Sequence, residues 1–158
     1  MATIKKKPNG YGQFGGISPF GNSTALLFAL ATNATGAVID SDTTAAVASG
    51  DVIDLGELPE GMRLDDAQIL IKTGMTASVT GSLGFKYVDG VDSTDVPQDA
   101  AYFISAGALA TAGRLRANTG KLVTLPKAAR LILTTGGAAN AKVSDIKVIV
   151  NGELTGPR

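Results

Sequence analysis

The chain has 158 residues, no cysteine, no histidine, and 14 basic side chains balanced by 14 acidic ones. That length accommodates one domain with a full core, and the missing residue types exclude disulfides, Ser/His/Asp triads, thiol nucleophiles, imidazole bases and most zinc sites. The fold must stand on packing alone, and a cysteine-free chain is compatible with either redox compartment.

Residues 1–23 carry Lys5, Lys6 and Lys7 and no acid. Gly10, Gly12 and Gly15 form a literal G-x-G-x-x-G. A dinucleotide site needs those glycines to follow a buried strand and open a helix. Here Met1–Asn9 ends in lysines and a proline, the stretch after Gly15 has no helical period, and Pro19 biases Ser18 toward extended backbone. No nucleotide site is expected. Tyr11, Phe14, Ile17 and Phe20 instead recur every three residues. That pattern, with Lys5–Lys7, suits an extended arm that orders against a partner, a plain flexible tail being the alternative. The lysines have no apolar block behind them, so no secretory signal is read and the chain is expected to stay in the cytoplasm where it is made.

From Thr24 onward the chain reads as short strands cut by glycine, proline and aspartate, giving an arm over 1–23 and one domain over 24–158. Thr24–Thr32 is an apolar run whose length and following Asn-Ala-Thr-Gly favour a strand. Its uncharged core, Ala25–Ala31, is far short of the about 18 residues of a membrane span. Ser41–Gly50 is a small, polar connector. Val52–Leu58 precedes a Pro-Glu-Gly turn, and Ala67, Ile69 and Ile71 share one face of a strand. Val79, Leu83, Phe85 and Tyr87 define the next face, within which Gly81 and Gly84 mark a bulge or the close approach of another backbone. Asp89-Gly90 is a turn, and 91–101 an aspartate-rich loop. Tyr102–Leu109 is ambiguous, Leu122–Leu125 is short, Arg130–Thr135 is strand-like, and Ile146, Val148 and Val150 alternate cleanly. The spacing predicts an all-β fold, a β-sandwich or jelly roll of about seven to nine strands, with an extended N-terminal arm.

The neutral total conceals a segregation. Residues 40–99 hold twelve acids and three bases, and residues 100–158 hold eight bases and two acids. Either acidic and basic strands pair across a sheet, or opposite faces orient docking between copies or with a partner. A nucleic-acid groove is not indicated, because Tyr102 and Phe103 are too few and too apolar in context to stack bases beside Arg114 and Arg116. Asp89, Asp92, Asp95 and Asp99 are the best metal candidates, but their spacing lacks the D-x-D-x-D rhythm and closing glutamate of a calcium loop, and a solvated turn is the preferred reading. Asp65 and Asp66 open a strand, where alternation sends them to opposite faces. No spacing pairs groups for catalysis, and neither an enzyme, a cofactor nor a small-molecule substrate is expected.

Four stretches carry a resemblance: GDVIDLGELPEGMRLDDAQI (50–69), GFKYVDGVDSTDVPQDAAYF (84–103), AGRLRANTGKLVTLPKAARLILTTGG (112–137) and IKVIVNGELTG (146–156). Together they resemble the small head decoration, or cement, proteins encoded beside the major capsid protein of tailed bacteriophages. The resemblance implies a β-sandwich or jelly roll that binds the outside of an assembled shell across joints between major capsid protein subunits. It also implies homo-oligomers and no catalysis. A receptor- or glycan-binding module on the virion surface is the alternative.

Overall fold

The computed structural model describes residues 2–5 and 23–154, and within them ten strands and no helix. They are β1 (Thr3–Lys5), β2 (Ser23–Thr32), β3 (Val52–Leu58), β4 (Met62–Thr73), β5 (Thr80–Tyr87), β6 (Asp99–Ala108), β7 (Gly113–Arg116), β8 (Val123–Thr124), β9 (Ala129–Gly136) and β10 (Ser144–Leu154). Alternation does most of the work. Ala67, Ile69 and Ile71 on β4, and Ile146, Val148 and Val150 on β10, are buried, while Gln68 and Lys147 between them are not. Val79, Leu83, Phe85 and Tyr87 are buried together as their spacing predicts.

Two sheets enclose this core. Sheet I runs β1-β3-β9-β5-β6, and sheet II runs β2-β10-β4-β7, with β8 also on β4. Every pairing is antiparallel except β1 on β3. If β7 and β8 are taken as one interrupted strand, β2 pairs β10, β3 pairs β9, β4 pairs β7/β8 and β5 pairs β6. This is a long double strand rolled up so that successive pairs alternate between sheets, the jelly-roll arrangement. Its eight-strand frame lies within the expected range; β1 and the interruption between β7 and β8 raise the number to ten.

Three irregularities shape the frame. In β4 the register slips between Asn151↔Asp66 and Gly152↔Leu64, leaving Asp65 as an extra residue. This bulge overrides the alternation expected of Asp65 and Asp66: Leu64 and Ala67 are both fully buried, and both carboxylates stay outside the core. In β3 a second slip at Asp54/Gly56 gives Gly56 a φ of 155°, and the Phe28 ring of β2 lies where its Cβ would be. In β5, Gly84 admits the backbone of the chain entering β6; an added Cβ would stand 2.0 Å from the Asp99 carbonyl oxygen. Strand β6 therefore begins at Asp99, inside the expected loop, and leaves its register with β5 between Leu83 and Phe85.

A buried side chain ties one end of the sandwich. Asn140 is 1% exposed. Its amide donates to Thr32 Oγ1 (3.0 Å) and Lys142 O (2.9 Å), and its oxygen accepts from Thr76 N (3.0 Å) and Thr76 Oγ1 (3.2 Å). Its backbone N–H donates to Val47 O at 2.8 Å. Segments far apart in sequence thus meet on one residue.

The start of the expected arm is part of sheet I. Thr3–Lys5 lies parallel to Val52–Asp54, and Ile4, only 2% exposed, enters the core. Lys5 N donates to Asp42 Oδ1 (3.0 Å) and Ala2 N to Asp51 Oδ1 (3.2 Å).

Two substitutions measure these ties by urea denaturation. Ile4→Ala should cost about 2–3 kcal/mol, the lower part of the range for a buried Ile→Ala change. An unchanged midpoint would show that β1 adds nothing to the domain. Asn140→Ala should cost more than a cavity of its size, because each polar group left buried without a partner adds about 1–3 kcal/mol.

Candidate interaction surface

Of the arm residues expected to meet a partner, Lys5 closes β1 with an exposed side chain. Lys6, Lys7, Tyr11, Phe14, Ile17 and Phe20 lie outside the described residues, as do the three glycines of the G-x-G-x-x-G. The two attachment points of this segment are defined: it leaves from β1 at the edge of sheet I and returns to β2 at the edge of sheet II.

Part of the segregated charge meets across the fold. Arg116 pairs with Asp66 (3.9 Å), Lys121 with Asp99 (3.7 Å), Lys127 with Asp89 (2.7 Å) and Arg130 with Asp54 (3.0 Å), each joining the basic third of the chain to its acidic middle. Lys72–Asp145 and Arg63–Glu153 do so in the opposite sense. Topology is the cause, since strands of the first half lie beside strands of the second. Most pairs are exposed and individually weak. Arg130–Asp54 differs, because Asp54 is 6% exposed and both of its oxygens lie 3.0 Å from Arg130 Nε.

The aspartate-rich loop is held by its own groups. Asp89 accepts from Lys127 Nζ and from Val91 N (3.0 Å), and Asp92 Oδ1 accepts from Ser93 N (2.8 Å) and Gln98 N (2.7 Å). Lys127 Nζ also donates to Val91 O (2.6 Å) and stands 4.6 Å above the Tyr87 ring. Among the described residues no group of three or more acidic side chains is placed to share a metal ion. The hydrogen bond from Lys127 is the main force holding the Asp89 carboxyl below its ordinary range, with the Val91 amide next. Burial pushes the Tyr87 phenol up, with Asp92 adding to it, and burial likewise raises Tyr102. Both phenols stay protonated near neutrality.

The aromatic residues of the domain are committed inward. Phe85 meets Tyr87 and Tyr102 edge-on at 5.8 and 5.5 Å between centroids, and Tyr102 meets Phe103 at 4.7 Å. All four are buried, and Phe28 is partly buried against the core. Tyr102 and Phe103 are therefore core residues, not a platform for bases or sugars.

Exposed apolar side chains lie singly in loops at Val88, Val91, Leu122 and Val143, and as a row on the outer side of sheet II. On β2 the outward row is Ala25, Leu27, Ala29 and Ala31; Ile149 of β10 stands opposite Leu27. Leu27 is 59% exposed, and Ile39, whose N–H donates to Ala31 O, is 43% exposed. A ten-residue edge strand without charge or proline is uncommon in a soluble β fold. The signal was present in STALLFALAT, but its position at an edge follows only from the topology.

No family model and no curated protein matches this chain. Solved structures share its fold. A chain of the capsid of Ralstonia phage GP4 superposes with a TM-score of 0.67 at 15% identity, over 98% of this chain and 99% of that one. A chain of the cyanophage Pam1 capsid asymmetric unit gives 0.57 at 17% identity, over 94% and 97%. A chain of the acid-stable capsid of Helicobacter pylori bacteriophage KHP30 gives 0.51 at 14% identity, over 84% and 93%.

Replacing Lys127 with methionine should raise the Asp89 carboxyl pKa toward its ordinary range, the Val91 amide still holding it somewhat below, read by carbon-13 NMR of the side-chain carboxyl. The Asp89 contribution to stability is present above its unfolded pKa and lost as pH falls through its lower folded value, below about pH 4. An Asp89 titration identical in both proteins would show that Lys127 does not hold it.

Proposed function

We propose that this protein is a non-enzymatic structural component of a phage virion that decorates the outer surface of the capsid and cements neighbouring major capsid protein subunits. The observation that carries the reading is the end-to-end correspondence with chains from three phage capsids, which spans nearly the whole of each partner rather than a shared core. The resemblance of 50–69, 84–103, 112–137 and 146–156 to head decoration proteins points the same way. The inward commitment of Phe85, Tyr87, Tyr102 and Phe103 speaks against a glycan-binding face on the domain.

In this reading the domain is made in the host cytoplasm and comes to rest on the shell. The segment between Lys5 and Ser23 contacts the capsid, with Lys5, Lys6 and Lys7 supplying charge and Tyr11, Phe14, Ile17 and Phe20 supplying apolar area. Each large side chain that becomes fully buried on docking adds about 1.5–3 kcal/mol. A protein that binds only the assembled shell stabilises it by about RT ln(1 + [L]/Kd) per site, and many identical sites compound the effect.

Shells decorated with the protein should rupture at a higher temperature than bare shells, followed by light scattering or release of packaged DNA. Equal rupture temperatures would refute the cementing role. The combined Tyr11→Ala, Phe14→Ala and Phe20→Ala variant should melt like the parent yet bind shells at least tenfold more weakly, measured by co-sedimentation. Unaltered binding would remove the segment from the interface.

A further inference from the structure

We propose that two copies of this chain associate through β2, edge to edge and antiparallel about a two-fold axis at Leu27, so that sheet II continues from one copy into the other.

The free side of β2 is defined by its backbone. Ala31 O accepts from Ile39 N, and Asn33 N donates to Ala37 O, so the chain at 37–39 covers the far end of the strand. Backbone groups alternate in direction along a strand. The residues that share the orientation of Ala31, namely Ala29, Leu27 and Ala25, therefore turn their N–H and C=O groups away from β10. Among the described residues no strand pairs with them on that side. At the β1 edge of sheet I, by contrast, the connector at 40–51 covers the end of the strand, through Asp42 N to Lys5 O (3.1 Å).

The occupant follows from the pattern of the strand. A two-fold axis requires each residue to meet its mirror position. About Leu27 the outward row Ala25-Leu27-Ala29 reads the same in both directions, so alanine meets alanine and leucine meets leucine. On the inner side Leu26 would stand opposite Phe28 of the second copy. Both are only partly buried although they pack on the core, so the flank of the sandwich is open at the point where a second strand would close it. No charge lies on β2 to repel an identical strand, whereas charged or proline residues are the usual means of blocking such an edge. The axis is also consistent with spacing: pairing centred on Leu27 uses 24–30 of each copy and stops where Ile39 takes over at Ala31.

Three variants of the full chain test the arrangement in sedimentation equilibrium at micromolar concentrations. The parent should be a dimer or an even-numbered assembly of dimers. Leu27→Lys places like charges across the axis, and Ala29→Pro removes only an N–H that faces the partner; each should shift the dimer toward monomer at least tenfold in dissociation constant, with far-UV circular dichroism unchanged. Leu27→Cys adds the sole thiol to a cysteine-free chain. Its two Cα atoms would be about 5.5 Å apart in a hydrogen-bonded antiparallel pair, within the about 4.4–6.8 Å that a disulfide spans. It should cross-link under mild oxidation far faster than Val91→Cys, a thiol at a position 63% exposed in the distant loop. A monomeric parent, a closed trimer, an assembly indifferent to Leu27→Lys and Ala29→Pro, or cross-linking no faster at 27 than at 91 would each overturn the proposal. Because no shell is present, failure here is separate from failure of the capsid reading.

Discussion

The structure depends on the pairing of the two halves of the chain with each other. Strands β2, β3, β4 and β5 make no ladder among themselves: β2 and β4 are held apart by β10, and β3 and β5 by β9. Each sheet therefore has a centre supplied by the second half of the sequence. Strand β10 is hydrogen-bonded along nearly its full length on both sides, from Ser144↔Thr32 to Glu153↔Ser23 and from Asp145↔Thr73 to Leu154↔Met62. Without it, β2 would have no neighbour in sheet II. The loop-closure entropy of such distant contacts must be overcome before they stabilise anything, which places the domain among slowly folding topologies.

That constraint also explains the charge distribution. An acidic middle and a basic final third would repel themselves if each folded alone. Threading one between the strands of the other converts a segregated sequence into a surface of mutual pairs such as Lys127–Asp89 and Arg130–Asp54. The pairs lend little energy individually. Their arrangement opposes wrong registers that would set like charges together.

Local alternation was legible in the sequence wherever strands are regular. Ala67, Ile69 and Ile71, and Ile146, Val148 and Val150, point inward as spaced, and Gly81 and Gly84 do sit under close neighbours, Leu109 and the Asp99–Ala100 backbone. What escaped reading is what long-range pairing imposes. Asp65 and Asp66 share the outer side because a bulge absorbs one residue, and no local pattern announces a bulge. Thr3–Lys5 is too short for its period to register, although the burial of Ile4 makes it part of the core. In β7, Arg114-Leu115-Arg116 alternates correctly but is only four residues long with its glycine. The candidate surface was the least legible part, since STALLFALAT reads as a core strand until the topology places it at an edge.

The sandwich has two unlike ends, and the difference governs where foreign sequence could be carried. Ser23 lies beside Glu153, and Met62 beside Leu154, so the root of the N-terminal segment and the close of the last strand share one end with Asp89–Lys127. At the opposite end the connectors around 33–37, 74–79 and 137–143 converge on Asn140. A peptide grafted after Leu154 would crowd the corner at which the segment 6–22 returns to β2. The small, polar connector at 41–50 belongs to the other end and has exposed positions at Thr44, Ala45 and Ala46. As an attachment point for displayed cargo, it holds the passenger a full strand length from Ser23, where the segment 6–22 rejoins the domain, but beside Lys5, where that segment leaves, since Asp42 N donates to Lys5 O.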